Sequence, residues 1–259
     1  MNTEAKAEEK AEENNVVLRL DGVSLNYQSG GKAYDHGVNH VLDNVSLDVY
    51  EGESLGLMGR NGVGKTTMLQ LMAGIMAPTK GKVIVSKGKT ASLLTLGLGF
   101  KPDLSGRNNA LLGAMLQGSS REEAEGFLED ILDFSDLGDS FELPVKNYSA
   151  GMRARLAFTT ALMTHVDILL IDEILSVGDA HFRGKAGEAM EGRMMSDQTV
   201  VFVSHMADQV CALCDRAIWL DHGKIVAEGD AEEVTSAYTK HISDALKEGV
   251  EEQKTLRPM

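Results

Sequence analysis

GRNGVGKT, residues 59–66, follows a short apolar segment typical of a strand and precedes KTTMLQLMAGI, which is typical of a helix. Its glycines allow successive backbone N–H groups to curl around phosphate oxygens, and a helix N-terminus carries a positive partial charge. The stretch therefore predicts a phosphate-binding loop between a strand and a helix. The residues predicted to bind a nucleotide here are Gly59, Arg60, Asn61, Gly62, Val63, Gly64, Lys65, Thr66 and Thr67.

Two side chains at the end of this loop have predicted chemical roles. Lys65 is expected to reach the β- and γ-phosphates, and the Thr66 hydroxyl is expected to ligate Mg²⁺. The structural alternative is a glycine turn that happens to precede a lysine. The strand and the helix on either side favour the phosphate loop. The loop alone does not distinguish between kinases, GTPases and ATPases.

A second motif, DILLIDE at residues 167–173, is a continuous apolar run that ends in two adjacent carboxylates. Such a run is typical of a central strand buried on both faces. We expect Asp172 to hold Mg²⁺, directly or through water, and Glu173 to deprotonate the attacking water. The alternative is that Glu173 only caps the following helix.

The segment Tyr148-Ser149-Ala150-Gly151-Met152, followed by RARLA, resembles the LSGGQ signature of the ABC ATPase family. Ser149 and Gly151 are retained, whereas the leucine, one glycine and the glutamine are replaced. The resemblance implies that Ser149 and Gly151 contact the γ-phosphate of ATP bound to the opposite subunit of a homodimer. As a bare pentapeptide the match is weak, but its place before the Asp-Glu strand makes it specific.

The resemblance continues in chain order over residues 17–235. SVGD, which ends at Asp179, is similar to the loop through which two subunits touch. His205 follows the strand TVVFV and matches the switch histidine that contacts the γ-phosphate. Tyr27 matches the aromatic residue that stacks on adenine, with Tyr34 as a competitor in the same loop.

Two stretches narrow the resemblance to the polysaccharide-export branch of this family. They are LGLGFKPDLSGRNN and PVKNYSAGMRARLAF, and Phe182 completes the SVGDxxF pattern. The resemblance implies export of a lipid-linked glycan, such as O-antigen, capsule or teichoic acid. One departure is that Thr95 stands near the place of a glutamine that ABC ATPases normally carry between the core and the helical insertion.

The order of apolar patterns predicts one α/β domain. We expect a P-loop ABC ATPase domain over 16–245, with a RecA-like core, an N-terminal antiparallel β-subdomain and a helical subdomain at about 100–160. RAIWLDHGKIVAEG predicts a hairpin that turns at His222-Gly223, and the last helix is expected to end near Gly249. Residues 1–15 are predicted to be an acidic flexible tail, and 246–259 a short tail too small for a carbohydrate-binding domain.

Composition constrains the partners. The formal net charge is −14, with 39 acidic against 25 basic residues, so a nucleic-acid ligand is not expected. No apolar run reaches the length of a membrane span, and the N-terminus lacks the apolar core of a signal peptide. The CxxC pair Cys211 and Cys214 is expected to be reduced and semi-buried, rather than half of a zinc or redox site.

The predicted function is therefore that of an ATP- and Mg²⁺-dependent ATPase subunit. The resemblance implies a homodimer beneath a pair of integral-membrane permease subunits, at the cytoplasmic face of a bacterial inner membrane. The alternatives are an ABC ATPase for another transported substrate and a soluble ABC ATPase acting on DNA, ribosomes or Fe–S assembly. A third alternative, a P-loop kinase, would leave Ser149 to Met152 without a purpose.

Overall fold

A three-stranded antiparallel sheet packs against a six-stranded sheet in the computed structural model of the chain. The structure describes residues 15–28, 38–94, 99–172 and 180–255, with side chains described for 15–26, 40–94, 99–172 and 181–245. The strands are β1 (Val16–Gln28), β2 (Val38–Tyr50), β3 (Ser54–Met58), β4 (Lys80–Val85), β5 (Ala91–Leu93), β6 (Ile168–Asp172), β7 (Thr199–Val203), β8 (Arg216–Asp221) and β9 (Lys224–Asp230). The helices are α1 (Lys65–Met72), α2 (Gly106–Leu116), α3 (Arg121–Gly126), α4 (Leu128–Ser135), α5 (Ala150–Met163), α6 (Ala180–Met194), α7 (Ala207–Leu213) and α8 (Ala231–Thr255).

The smaller sheet has the strand order β2-β1-β4, with both pairs antiparallel. Leu18 and Leu20 of β1 lie opposite Val49 and Leu47 of β2, and all four side chains are buried. They join the core cluster that also contains Leu55 and its neighbours on the larger sheet. The antiparallel strands predicted from the alternating pattern at the start of the domain are confirmed.

The larger sheet has the order β5-β6-β7-β3-β8-β9, and its neighbours are parallel except for β8 and β9. Strands β3 and β7 are buried along their whole lengths, as a sheet covered on both faces requires. Leu57 of β3 is in register with Val203 of β7, and Val203 is in register with Asp172 of β6. The carboxyl ends of these three strands therefore meet at one edge, where open α/β sheets bind their ligands.

Helices α2 to α5 and two short 3₁₀ turns follow one another between β5 and β6. They surround a core of their own that includes Ile131, Phe141 and Leu156. Ser120 is the N-cap of α3: its hydroxyl accepts from the Glu123 N–H at 3.3 Å, and its own N–H donates to the Glu123 carboxylate at 2.8 Å. This reciprocal capping box fixes the start of α3 at Arg121. The domain boundaries drawn from the sequence stay a prediction.

The C-terminal part contains the predicted hairpin and a longer helix than expected. His222 and Gly223 both have positive φ, at 45° and 74°, as the tight turn between β8 and β9 requires. The expected end of the last helix near Gly249 is wrong, because α8 continues to Thr255. The residues after Gly249 are mostly good helix formers, Glu, Gln and Lys, so a single glycine does not terminate the helix.

The two cysteines are free, and their environments differ. Cys214 is buried after the end of α7, and burial raises the pKa of its thiol to about 12. Cys211 is exposed on α7, so the expectation that both side chains are semi-buried is wrong for this residue. Across the described ranges, no group of three or more His, Cys, Asp or Glu side chains is placed to hold a metal ion.

Candidate functional site

The predicted phosphate loop connects β3 to α1 at the carboxyl edge of the larger sheet. Gly59, Gly62 and Gly64 have φ values of 149°, 83° and 109°, which favour glycine. A Cβ on Gly59 would lie 2.3 Å from the Leu220 carbonyl oxygen, and one on Gly64 would lie 2.8 Å from the Val41 carbonyl oxygen. The curled backbone therefore needs glycine at positions 59 and 64 for both conformation and space, and at position 62 for conformation alone.

Lys65, the first residue of α1, lies over the loop. Its Nζ donates to the carbonyl oxygens of Gly59 at 2.7 Å and Arg60 at 3.0 Å. The side chain is buried, and this burial lowers the pKa of Lys65, while the nearby charge of Asp172 acts in the opposite direction. Gly64 precedes the helix and has no side chain to cap it, so the first backbone N–H groups of α1 can receive an anion.

Thr66 and Asp172 meet at this edge, although they are 106 residues apart in the chain. The Thr66 hydroxyl donates to the Asp172 carboxylate at 2.7 Å. A hydroxyl and a carboxylate are oxygen ligands of the kind that Mg²⁺ prefers, and they lie beside the predicted phosphate position. The residues present therefore fit a magnesium ion.

A cavity of about 500 Å³ opens between the loop and Asp172. A second cavity of about 430 Å³ adjoins it, since both are lined by Val41, Asn61 and Gly62. Volumes of this size are typical of small-molecule and cofactor sites. The sequence reasoning missed Val41, His40 and the Asp221–Gly223 segment as lining residues, because no local motif marks them and only the packing of β2 and the β8–β9 turn brings them here.

Gly223 is placed to hold Val41 against the phosphate loop. Its carbonyl oxygen accepts from the Asp43 N–H at 2.9 Å, and a Cβ on Gly223 would lie 2.7 Å from the Val41 carbonyl oxygen. Gly88 has a similar φ of 83°, but a Cβ there would meet nothing within 4 Å.

Gly223→Ala is therefore expected to destabilise the protein more than Gly88→Ala and also to weaken ATP binding. The positive φ alone costs about 1–3 kcal/mol at either position, and the contact with Val41 adds to this cost only at Gly223. Thermal melts and nucleotide titrations of both variants provide the measurement. Equal losses of stability, with ATP affinity unchanged in both, would contradict this role for Gly223.

Ser149 and Gly151 form the exposed N-terminus of α5. The Ser149 hydroxyl accepts from the Met152 N–H at 3.1 Å, which makes Ser149 the N-cap. Tyr148 beneath them is buried, and its hydroxyl donates to the Ser140 carbonyl oxygen at 2.6 Å. Neither Ser149 nor Gly151 lines the cavity at the phosphate loop, so a single chain does not bring the two predicted halves of the site together.

The remaining predicted residues are placed as follows. His205 is exposed, two residues beyond Val203 at the same edge of the sheet as Asp172. The backbone of Tyr27 pairs with that of Asn39, but its side chain lies outside the described residues. Four further predictions also fall outside the described residues: Tyr34, Thr95, Glu173 and Asp179.

Solved structures with the same fold include an ATP-binding cassette and a component of an ABC transporter complex. One is a dimeric post-hydrolysis state of the cassette MJ0796 bound to ADP and Pi, with a TM-score of 0.67 and 24% identity, covering 83% of this chain and 98% of that one. The other is cbiO1 from Clostridium perfringens, part of a cbiONQ ABC transporter complex, with a TM-score of 0.61 and 20% identity over 86% and 91% of the two chains. At these identities the likeness establishes the fold, and it confirms the predicted α/β cassette architecture.

Curated relatives are closer in sequence. The ABC transporter protein AbcA of Aeromonas salmonicida is 40% identical over 86% of this chain and 76% of its own length. The O-antigen export system ATP-binding protein RfbB of Klebsiella pneumoniae is 42% identical over 78% and 82%. The teichoic acids export ATP-binding protein TagH of Listeria monocytogenes serotype 4b (strain F2365) is 42% identical over 78% and 60%, so the match spans only part of that protein.

The family model described as ABC transporter matches residues 42–176, a range that begins in β2 and contains the phosphate loop, the α5 N-terminus and the strand that ends at Asp172. Since this match covers more than half of the chain, and relatives about 40% identical match most of it, the protein belongs to the ABC transporter family.

Proposed function

We propose that this chain binds and hydrolyses ATP to drive export of a lipid-linked polysaccharide, such as O-antigen, capsule or teichoic acid, across a bacterial inner membrane. The observation that carries the proposal is the convergence of Lys65, Thr66 and Asp172 at one edge of the sheet. The names of the RfbB and TagH relatives support the class of transported substrate.

The phosphate loop supplies the binding energy for the nucleotide. Lys65 exchanges its contacts with the Gly59 and Arg60 carbonyl oxygens for contacts with the β- and γ-phosphates. The open N–H groups at the start of α1 add hydrogen bonds to the same anion. Because the Lys65 cation is already held at the mouth of the loop, little reorganisation is required when ATP arrives.

Thr66 and Asp172 would hold Mg²⁺ beside the phosphates. The ion would supply charge neutralisation for the phosphate groups and for the oxygen that leaves with ADP. Glu173, the next residue along the chain, orients the attacking water and accepts its proton. His205 contacts the γ-phosphate and reports its loss after hydrolysis.

Two copies of the chain are required for a complete site. Ser149 and Gly151, at the exposed N-terminus of α5, do not line the cavity of their own chain and instead contact the γ-phosphate of the partner's ATP. Asp179 lies in the loop through which the two copies touch, and Tyr27 stacks on adenine. ATP binding closes this dimer, and hydrolysis reopens it.

Ser149→Asp is expected to abolish ATP-induced dimerisation without loss of folding stability. Aspartate caps a helix as well as serine does and also favours the helix dipole, but its charge repels the partner's γ-phosphate. Ser149→Ala is the complementary variant: it removes the N-cap and is expected to lower the free energy of unfolding by about 1 kcal/mol. Light scattering with ATP and thermal melts measure both effects; a Ser149→Asp chain that dimerises like the parent contradicts the arrangement.

A membrane partner is the second requirement of the proposal, and it is supported by the names of the exporter relatives. None of the helices in the described ranges is long and apolar enough to cross a bilayer. A groove of about 150 Å³ lies between the larger sheet and the helical region, lined by apolar side chains that include Ile75, Phe100 and Leu116. Ile75 and Leu116 are 54% and 69% exposed. This groove is the surface that we propose for a pair of permease subunits, which keeps the chain at the cytoplasmic face of the membrane.

The test is to purify the Glu173→Gln variant from its native membrane in the presence of ATP and to identify the associated molecules by mass spectrometry. The expected result is a polytopic membrane subunit together with a lipid-linked glycan. A membrane subunit from a drug, metal or amino-acid system would overturn the glycan assignment but leave the transporter mechanism. Association only with soluble proteins or nucleic acid would overturn the transporter function.

A further inference from the structure

The C-terminal end of α4 is capped by a side chain from a distant helix. The last carbonyl groups of a helix have no partner within it. Here the Lys185 Nζ, from α6, donates to the Phe134 carbonyl oxygen at 2.9 Å and to that of Asp133 at 3.4 Å, and it pairs with the Asp136 carboxylate at 3.3 Å. A cation at this position also interacts favourably with the helix dipole.

Aromatic contacts reinforce the same junction. The Lys185 Nζ lies 4.5 Å from the centre of the Phe134 ring, within the range of a cation–π interaction. Phe134 also packs edge-to-face against Phe182 of α6, with 5.9 Å between ring centres. Phe182 is buried and makes a second edge-to-face contact with Phe158 of α5, so the junction is anchored in the core beneath the larger sheet.

The two helices that Lys185 joins, α6 and α4, lie in different parts of the protein. Helix α6 begins at Ala180, directly after the segment 173–179 that contains Glu173 and Asp179. Helix α4 belongs to the helical region, whose cluster of Leu128 and Ile131 is separate from the core of the larger sheet. Lys185 therefore connects the chain just beyond the catalytic strand to the region that faces the permease.

We propose that Lys185 is a positioning residue that transmits the nucleotide state of the site at Asp172 to the last turn of α4. The permease part of this inference rests on the function proposed above, whereas the contact itself lies within one chain. ATP binding beside Asp172 displaces the start of α6, and the Lys185 ammonium group, which is hydrogen-bonded to the α4 carbonyl oxygens, carries that displacement into the helical region.

The first test uses amide hydrogen exchange on the isolated chain with and without ATP. In the parent, ATP is expected to slow amide exchange in the last turn of α4 by about fivefold or more. A factor of this size is typical of the coupling between two sites of one protein. Lys185→Met keeps most of the apolar stem but removes the cation, so this response is expected to disappear while that of the phosphate loop remains. Lys185→Arg, which retains the charge and donors, is expected to restore most of it.

Lys146→Met is the matched control. Lys146 also forms an ion pair, with Asp103 at 3.0 Å, but this pair lies within the segment of helices and turns that precedes α5. This variant is expected to keep the α4 response. The proposal is overturned if α4 does not respond in the parent, if Lys185→Met keeps the response, or if Lys185→Met loses the phosphate-loop response as well, which would indicate a structural role alone.

The second test measures ATP hydrolysis by the complex with the permease that co-purifies with the chain. Lys185→Met is expected to keep the KM for ATP of the parent complex but to lose most of the increase in kcat that the permease causes. Equal stimulation of parent and variant contradicts the inference. A parent complex that shows no stimulation contradicts the proposed function instead, and the exchange experiment on the isolated chain still decides the role of Lys185.

Discussion

Glu173→Gln is expected to bind ATP like the parent but to hydrolyse it on the order of 10²–10⁴-fold more slowly, the usual contribution of a general base. Glutamine preserves the size and the hydrogen-bonding geometry of the side chain but cannot accept the proton of the attacking water. ATP-bound dimers should therefore accumulate, since the step that reopens them is blocked. Phosphate release gives the rate, and light scattering with ATP gives the fraction of dimer.

Glu188→Gln is the control for this substitution. Glu188 is an exposed residue of α6, so the same change of charge is made at a position outside the predicted site. Its rate of hydrolysis should equal that of the parent. If Glu173→Gln also hydrolyses ATP at the parent rate, Glu173 is not the base, and the helix-capping alternative becomes the better explanation of this carboxylate.

Lys65→Met is expected to lose ATP binding almost completely. The ammonium group makes charge-assisted hydrogen bonds to phosphate oxygens, each contributing about 1.5–3 kcal/mol, and two of them correspond to affinity weaker by on the order of 10²–10⁴-fold. Methionine fills most of the volume of the buried stem, so the result does not reflect a cavity. Calorimetric titration with Mg²⁺ and ATP measures the loss.

Lys89→Met is the matched control for the loss of a cation. Lys89 pairs with Glu51 at 2.7 Å and with Asp167 at 3.4 Å, at the end of β6 opposite to Asp172. Its removal should leave ATP affinity unchanged, because these partners lie away from the phosphate loop. Parent-like binding by Lys65→Met, or an equal loss in both variants, would contradict the role of Lys65 in holding the phosphates.

Local patterns were sufficient to place most of the secondary structure. Each of these patterns has a local physical cause. Pleating causes the alternation in β1 and β2, and burial on both faces causes the apolar runs of β6 and β7. The turn at His222-Gly223 follows from the positive φ that its two residues adopt. The end of α8 was misplaced because one glycine lowers helix propensity without terminating a helix whose other residues favour it.

The candidate site was predicted only in part, because only the residues that belong to local motifs could be recognised. Lys65, Thr66 and Asp172 belong to motifs in which the neighbours along the chain reveal the chemistry. Val41 and Gly223 support the same loop through backbone packing, and no feature of their own sequence neighbourhoods indicates it. Lys185 was likewise not predicted, since a lysine on a polar helix is ordinarily a solvated surface residue.

The sequence by itself determined the phosphate loop, the carboxylates at the end of an apolar strand and the membership of the ABC transporter family, because each depends on residues close together in the chain. Only the tertiary structure decided that β3 lies between β7 and β8, with Leu57, Val203 and Asp172 in register. It also decided that Lys185 caps α4 and that Gly223 holds Val41 against the loop. These contacts join residues from distant parts of the chain, and they are set by strand order and side-chain packing, which hydrophobic periodicity does not encode.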